Sequence, residues 1–167
     1  MRKFNRPTDH RVAMIKNLAT NLLWYGKIET TTEKAKDVQV YAEKMLTKAI
    51  NTYEDTVKVV KEVTDPKGKK VSKEVINDGA KKLNARRYLM SHLYDIQEVR
   101  GEKESKEAFK KRTEDIAHPL IEKIYNVYAP KYAKRKETLG NGGGYTRILK
   151  LANRNGDCAE TAIIELV

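Results

Sequence analysis

Apolar residues in the first third of the chain repeat at helical spacing in two runs, which a glycine separates. The first run predicts a helix over residues 9 to about 25, and Gly26 is suited to end it because glycine adopts a left-handed backbone without strain. Residues 27–30 predict a short strand, and the second run predicts a helix over residues 30 to about 53. The apolar faces comprise Val12, Ile15, Leu18, Ala19, Leu22 and Leu23 in the first helix and Ala35, Val38, Ala42, Met45, Leu46 and Ala49 in the second.

The predicted start of the second helix carries two kinds of signal. Thr30 and Glu33 have the spacing of a capping box, in which each side chain binds a free backbone amide near the helix start. The same amides, the threonine hydroxyls and the nearby Lys34 and Lys36 also have the chemistry of an anion site. Ordinary capping and phosphate binding are compatible here, so both interpretations stay open.

Residues 54–115 closely mix sixteen basic and thirteen acidic side chains. Within this stretch, residues 65–68 are a strong turn signal with valines on both sides, which fits either a hairpin or a pair of short helices. Residues 101–111 are mostly charged and are predicted to be solvated. A helix is predicted over residues 83–94, with an apolar face made by Leu83, Met90, Leu93 and Tyr94.

The last third of the chain predicts one more helix and a hairpin. Pro119 suits the first turn of a helix, and apolar residues follow it at helical spacing. Residues 146–151 and 161–167 are rich in β-forming residues and are joined by a turn at residues 155–157. Residues 140–144 predict a flexible approach to the first of these strands. The predicted buried face of the helix comprises Leu120, Ile121, Ile124, Tyr125 and Tyr128.

Length and composition limit the classes that remain. A chain of 167 residues with 40% hydrophobic residues predicts one domain with its own core. The single cysteine, Cys158, allows no intrachain disulfide and no cysteine-based metal site, which fits a reducing cytoplasm. No apolar run reaches the roughly 18 residues of a transmembrane helix, and no apolar segment follows the basic N-terminus as in a signal peptide.

Positive charge is concentrated at the two ends of the sequence. The formal net charge is +11, and residues 1–36 hold eight Lys/Arg against three Asp/Glu. Residues 131–154 hold seven Lys/Arg against one Asp/Glu, and the rest of the chain is balanced. Two basic segments of this kind predict a single surface that binds a polyanion, and nucleic acid is the leading candidate.

Candidate binding residues come from four groups within these segments. Basic side chains and His10 suit phosphate contacts, glycines permit close approach of the backbone, and Tyr145 suits stacking on an unpaired base. Arg147 and Lys150 fall on opposite faces of a strand by alternation. The predicted RNA-binding residues are Arg2, Lys3, Arg6, His10, Arg11, Lys16, Asn17, Lys34, Lys36, Lys131, Lys134, Arg135, Gly143, Gly144, Tyr145, Arg147, Lys150 and Arg154.

Catalysis is poorly supported by the sequence. His10, His92 and His118 are far apart in sequence and form no metal-binding pattern. The glycine-rich segment lacks the Gly-Lys-Ser/Thr ending of a phosphate-binding loop, and Cys158 has no evident activating partner. We therefore predict a protein without enzymatic activity, cofactor, metal or small-molecule substrate.

Two stretches of the chain resemble the family of the bacterial large-subunit ribosomal protein numbered seventeen. The first is His10-Arg11-Val12-Ala13-Met14 with Asn17-Leu18-Ala19, Leu22, Ile28, Thr30-Thr31 and Lys34-Ala35-Lys36. The second is Gly143-Gly144-Tyr145-Thr146-Arg147-Ile148-Leu149-Lys150, followed by Arg154-Asn155-Gly156-Asp157, Ala159, Ala162 and Ile164-Glu165-Leu166-Val167. With Pro130-Lys131-Tyr132, these stretches cover about half of the chain, and the second is highly specific.

The resemblance implies a fold and a role. The fold is α+β, in which a helix, a strand, three helices and two strands follow one another. A small mixed sheet packs on the helices in two layers, and this chain adds a charged insertion in the middle. The implied role is a structural constituent of the large ribosomal subunit, in the cytoplasm, that binds large-subunit ribosomal RNA and supports assembly and translation. Its implied partners are that RNA and neighbouring large-subunit ribosomal proteins near the outer end of the peptide exit tunnel, with no membrane partner.

Residues of about 54–82 and 95–115 stand out as insertions relative to that family, within a single rRNA-binding domain over residues 1–167. Because the insertions are charge-balanced, we expect them to face solvent or a protein neighbour.

Two other functions stay open. One is an architectural DNA-binding protein, although no clear helix-turn-helix recognition helix is present. The other is an RNA-processing enzyme using His10 or His118, which would need a second acid or base group.

Overall fold

The structure is a computed structural model that describes residues 2–64, 70–114, 116–140 and 142–167. Helices and strands are interspersed along the chain, and a π-helical turn at Ile124–Tyr128 joins the fifth and sixth helices into one continuous rod. The elements are α1 Thr8–Tyr25, β1 Lys27–Thr31, α2 Thr32–Ile50, β2 Thr56–Thr64, β3 Lys70–Asp78, α3 Ala80–His92, α4 Lys106–Thr113, α5 Pro119–Lys123, α6 Ala129–Leu139, β4 Thr146–Asn153 and β5 Glu160–Leu166.

The main sheet has three strands in the order β1-β5-β4 and confirms the α+β class. Ile164 of β5 lies between Ile28 of β1 and Ile148 of β4, and it is fully buried against the helices. Both pairings are antiparallel, so the prediction of a mixed sheet is wrong. The short β4–β5 turn enforces an antiparallel pair, because a parallel pair needs a long crossover connection.

Strands β2 and β3 form a separate antiparallel hairpin, which resolves the choice left open between a hairpin and two short helices. The predicted turn at residues 65–68 lies outside the described residues. The two segments that connect the hairpin to the rest of the fold lie side by side, since the Gly79 amide donates to the Asp55 carbonyl oxygen at 2.8 Å. Asp55 then accepts a hydrogen bond from the Lys81 amide at 2.8 Å and so stabilises the start of α3.

The start and the end of α2 differ from the sequence prediction, whereas α1 ends as predicted. Gly26 ends α1 as expected, with φ +83° and its amide bound to the Leu22 carbonyl oxygen. The capping box is wrong: α2 begins at Thr32, so its N-cap is Thr31 rather than Thr30, and Thr31 makes no side-chain cap hydrogen bond. The reason is that Thr30 and Thr31 belong to β1, whose pairing with β5 holds their backbone extended. Helix α2 also ends at Ile50 rather than near residue 53.

The core is centred on α2, which packs on α1, on the main sheet and on the rod formed by α5, the π-helical turn and α6. The predicted apolar stripe of α2 is confirmed, because all six of its members are buried. In α1, Val12 is 43% exposed, contrary to prediction. In α3 the buried side chains are Ala85 and Leu89, with Leu93 just beyond the helix end, whereas Leu83, Met90 and Tyr94 are exposed. The buried residues recur every four positions along the chain. The sequence pattern alone did not show which apolar residues of this segment face the core and which face solvent.

An ion-pair network links the end of the hairpin to two helices. Arg86 Nε donates to Asp78 Oδ2 at 2.6 Å, and Arg86 Nη1 donates to Glu122 Oε1 at 2.5 Å. Lys82 Nζ also contacts Asp78 Oδ1 at 3.0 Å. Burial raises the pKa of Asp78, but the hydrogen bonds from Arg86 and Lys82 outweigh burial and hold that pKa below its ordinary value.

Replacement of Arg86 by Met is expected to lower the free energy of unfolding by about 1–3 kcal/mol at pH 7, because Glu122 loses its ion-pair partner and Asp78 keeps only Lys82. A depressed pKa contributes stability above the unfolded value of about 4, and that stability is lost as the pH falls through the folded value. Urea unfolding of wild type and Arg86→Met at pH 7 and pH 3 checks this. The stability difference should shrink at pH 3, and an equal difference at both pH values would contradict it.

Candidate nucleic-acid interface

The main sheet brings the two basic segments of the sequence together. Because β5 lies between β1 and β4, the start of α2 and the β4–β5 turn approach the same edge of the molecule. There, Lys34 and Arg154 line one groove of about 290 Å³ together with Thr30, Thr31 and Thr161; Glu29 also lines it. The two residues are 120 positions apart in sequence, so only the fold makes them neighbours.

Arg154 is held in a defined orientation by the turn that follows it. Its Nε and Nη2 atoms donate to Asp157 Oδ1 at 2.9 Å and Oδ2 at 2.5 Å. This bidentate pair lowers the pKa of Asp157 to about 2, with a smaller contribution from the Ala159 amide. A guanidinium carries five N–H donors, so the remaining donors of Arg154 stay available for an anion. Asp157, predicted only as a turn residue, therefore also orients a candidate phosphate-binding group.

Arg147 and Lys150 lie on opposite faces of β4, as the alternation predicts. Arg147 is paired in register with Glu165 on β5, and its Nε donates to Glu165 Oε1 at 2.9 Å. Lys150 lies opposite Ala162 on the other face of the sheet, near the end of β4, and is exposed. Both cations are exposed, but Arg147 is engaged by a carboxylate, whereas Lys150 forms no ion pair with any residue that the structure describes.

The N-terminal arm is attached to the start of α2 by ion pairs. Arg2 contacts Glu33, its backbone amide donates to Asp37 Oδ2 at 2.7 Å, and its Nη1 donates to Asp37 Oδ1 at 2.9 Å. Lys36 is also paired with Glu33, at 3.1 Å. These carboxylates compete with phosphate for Arg2 and Lys36.

Lys3 and Arg6 of the arm, by contrast, are exposed and form no ion pair with any residue that the structure describes. Arg6 lies beside the first turns of α1, where His10 is also exposed. These three side chains are exposed and can donate hydrogen bonds to phosphate.

Further along α1, the predicted residues have internal contacts. Arg11 Nη2 reaches Thr8 Oγ1 at 3.5 Å, while its buried Nε has no hydrogen-bond partner among the described residues. Lys16 Nζ donates to the Ser91 carbonyl oxygen at 3.0 Å. Asn17 Oδ1 accepts from Asn21 Nδ2 at 3.1 Å. Lys16 therefore fixes the last turn of α3 as well as adding positive charge.

The glycine-rich approach to β4 is fixed from α6. Arg135 Nη1 donates to the Gly144 carbonyl oxygen at 3.2 Å, and Lys131 Nζ donates to the Val167 carbonyl oxygen at 3.0 Å. Gly143 and Gly144 have φ of +108° and +60°, values that only glycine adopts readily. Lys134 is exposed on the same helix. Asn141 lies outside the described residues.

Tyr145 does not lie where the sequence placed it. Its side chain is only 5% exposed and packs against Tyr132, with ring centroids 4.9 Å apart. Stacking on an RNA base would require the ring to leave the core, so the prediction of a stacking Tyr145 is corrected. Tyr145 lies just before β4 and its ring packs inward on α6 through Tyr132, a contact that the glycine-rich context in the sequence concealed.

Tyr94 is a candidate binding residue that the sequence did not predict. Tyr94 was assigned to an apolar face, but it is 43% exposed and lines a groove with Arg6, His10 and Asn17 of the N-terminal segment. No local pattern could have shown this, because the groove joins residues about 80 positions apart.

None of the described residues forms a group of three side chains suited to a metal ion, and none of the described helices is long and apolar enough to cross a membrane.

A small α+β scaffold that gathers separated basic segments at one edge defines a basic nucleic-acid-binding class of protein. Residues 14–167 match the family model described as Ribosomal protein L17. The chain is 37% identical over 187 residues to the large ribosomal subunit protein bL17 of Lachnospira eligens, covering 99% of this chain and 98% of the relative. It is 35% identical over 190 residues to bL17 of Acetivibrio thermocellus, with the same coverage, and 34% identical over 166 residues to bL17 of Clostridium botulinum. The chain belongs to the ribosomal protein L17 family, which confirms the resemblance.

Because the family consists of structural ribosomal proteins, the prediction that the chain is not an enzyme is also confirmed. The histidines agree with this. His92 stacks on Tyr88 with centroids 3.9 Å apart, and His118 contacts Asp95 at 3.4 Å, whereas His10 lies in the separate groove on α1.

Proposed function

We propose that the protein is a structural constituent of the large ribosomal subunit that binds large-subunit ribosomal RNA in the cytoplasm. The observation that carries this proposal is the convergence of Lys34 and Arg154, from the two basic ends of the sequence, in one groove at the edge of the main sheet. Family membership supports it, because the curated relatives are named as proteins of the large ribosomal subunit.

The proposed mechanism is mechanical and electrostatic. Exposed cations such as Lys3, Arg6, Lys134, Lys150 and Arg154 neutralise closely spaced phosphates and release counterions. The buried core holds these groups at fixed separations, so that RNA segments bound to them are kept in register. Recognition is mainly of RNA shape and backbone, which supports subunit assembly and translation.

The position within the subunit is also part of the proposal. The family resemblance implies a place near the outer end of the peptide exit tunnel, beside neighbouring large-subunit ribosomal proteins. Residues 54–82 and 95–115 then project toward solvent or a protein neighbour as insertions. Their mixed charge supports this, since a segment bound to RNA would carry an excess of basic residues.

Sedimentation of cell lysate at low magnesium, which separates the ribosomal subunits, tests the function. The protein should migrate with the large subunit and stay there after a moderate salt wash. A peak among free soluble proteins would overturn the proposal. Equal affinity of the purified protein for duplex DNA and for ribosomal RNA would instead favour an architectural DNA-binding protein.

Replacement of residues 57–77 by Asn-Gly is expected to leave incorporation into the large subunit unchanged. The two ends of the β2–β3 hairpin are adjacent, with Thr56 paired to Asp78, and Asn-Gly forms a two-residue turn between antiparallel strands. The variant keeps Asp78 and its contacts with Arg86 and Lys82.

The measurement is the fraction of the variant that sediments with large subunits, relative to wild type expressed at the same level. A matched control removes a basic segment of the proposed interface, residues 2–6, and should reduce incorporation. Loss of incorporation by a folded hairpin variant would show that this insertion takes part in assembly.

A further inference from the structure

A shallow groove lies between one side of α1 and the chain that follows α3. Its volume is about 540 Å³, within the range of sites that hold small organic groups. Ala13 and Met14 of α1 and Tyr94 from after α3 give it an apolar lining, and His10 and Asn17 add polar groups. The Lys34–Arg154 groove is built from other elements, so the two grooves are distinct.

Tyr94 is both exposed and fixed in place. Its backbone amide donates to the buried Thr20 Oγ1 at 3.1 Å, which ties this part of the chain to α1. Lys16 Nζ lies 4.5 Å from the centroid of the Tyr94 ring while it donates to the Ser91 carbonyl oxygen. An aromatic ring that is already ordered loses little conformational entropy when a flat group packs on it.

The polar groups around the ring match a nucleobase better than a phosphate. The Asp9 carboxylate lines the groove, and it repels a phosphate but accepts hydrogen bonds from the amino groups of a base. Asn17 offers an amide to a base edge. The cations Arg6 and Lys16 lie beside the same groove and suit the phosphate that such a base carries on its backbone.

We infer that this groove takes one unstacked base of the ribosomal RNA, with Tyr94 as its stacking surface. The inference rests on the proposed function and adds to it a defined feature of the RNA: a single-stranded nucleotide whose base is turned out of a helix. It also assigns to Tyr94 the role that the sequence had suggested for Tyr145. Bases turned out in this way are what proteins commonly recognise in single-stranded RNA.

The test is binding of the purified full-length protein to protein-free large-subunit ribosomal RNA by filter retention at several salt concentrations. Tyr94→Leu removes the aromatic face and is expected to weaken binding by roughly 5- to 100-fold. The dependence of affinity on salt should not change, because no charge is removed. Tyr94→Phe keeps the ring and should bind as wild type does.

Two further variants complete the test. Ala13→Leu fills the groove from an exposed position of α1 and should weaken binding in the same way, even if Tyr94→Leu proves unstable. Tyr25→Leu removes a tyrosine that is 70% exposed outside the groove and should leave affinity unchanged.

The outcomes separate the inference from the function on which it rests. Wild-type affinity in both Tyr94→Leu and Ala13→Leu overturns the inference and leaves ribosomal RNA binding intact; a groove that holds a protein side chain would give this result. Failure of the wild-type protein to prefer ribosomal RNA overturns the proposed function as well. The bases whose reactivity toward dimethyl sulfate differs between the wild-type and Tyr94→Leu complexes would identify the bound nucleotide.

Discussion

A Lys34→Gln/Arg154→Gln double variant is expected to bind large-subunit ribosomal RNA about 30- to 1,000-fold more weakly than wild type, if each cation makes one charge-assisted contact of about 1–2 kcal/mol. Lys34 and Arg154 line the same groove at the edge of the main sheet, and they come from the two segments that hold the net charge. Loss of two phosphate contacts should also reduce the salt dependence of binding, by about 1.5 in the slope of log affinity against log salt.

A matched control separates this effect from net charge. Lys103 and Lys110 are exposed in the 95–115 segment, and their replacement by glutamine changes the net charge by the same amount. That control should bind nearly as wild type does. Filter retention at five or more salt concentrations gives both the affinity and the slope for each protein. Equal losses in the two double variants would show that only the total charge matters and that the groove is not a contact site.

A Leu46→Ala variant is expected to lower the free energy of unfolding by about 2–5 kcal/mol, because it leaves a cavity in the centre of the core. Leu46 is fully buried on α2, the helix that contacts α1, the main sheet and the rod that begins at Pro119. For a chain of this size the midpoint of thermal unfolding should fall by roughly 5–15 °C. Since the main sheet positions both basic segments, we also expect less of the variant on large subunits at elevated growth temperature.

Val40→Ala is the control on the same helix. Val40 is 70% exposed, so its truncation removes little packing and should change the free energy of unfolding by about 0.5 kcal/mol or less. Urea unfolding followed by circular dichroism gives the comparison. Similar stabilities for the two variants would mean that α2 is not the centre of the core.

The local elements were predictable because their signals are local. Helical spacing and Gly26 predicted α1 and its end, and the turn residues at 155–157 predicted the β4–β5 hairpin. The capping box failed because β1 pairs with β5 through Thr30 and Thr31, a contact between segments about 130 residues apart. A local cap signal was overridden by distant strand pairing.

For the candidate site too, some properties followed from the sequence and others depended on the fold. Composition and charge distribution alone predicted a polyanion partner, and the motifs predicted the family. The fold decided which exposed cations are engaged by a carboxylate: Arg2 and Arg147 are exposed but ion-paired, whereas Lys3 and Lys150 are exposed and form no ion pair with any residue that the structure describes.

By itself, the sequence determined α1, α2 and α3, the C-terminal hairpin, the location of the net charge and the ribosomal protein family, because each depends on residues close together in the chain. Only the tertiary structure decided the antiparallel strand order, the meeting of Lys34 with Arg154, and the exchange of Tyr145 for Tyr94 as the accessible ring. These features depend on which distant segments pack together. That packing is set by burial of the whole core around α2, and no short stretch of sequence encodes it.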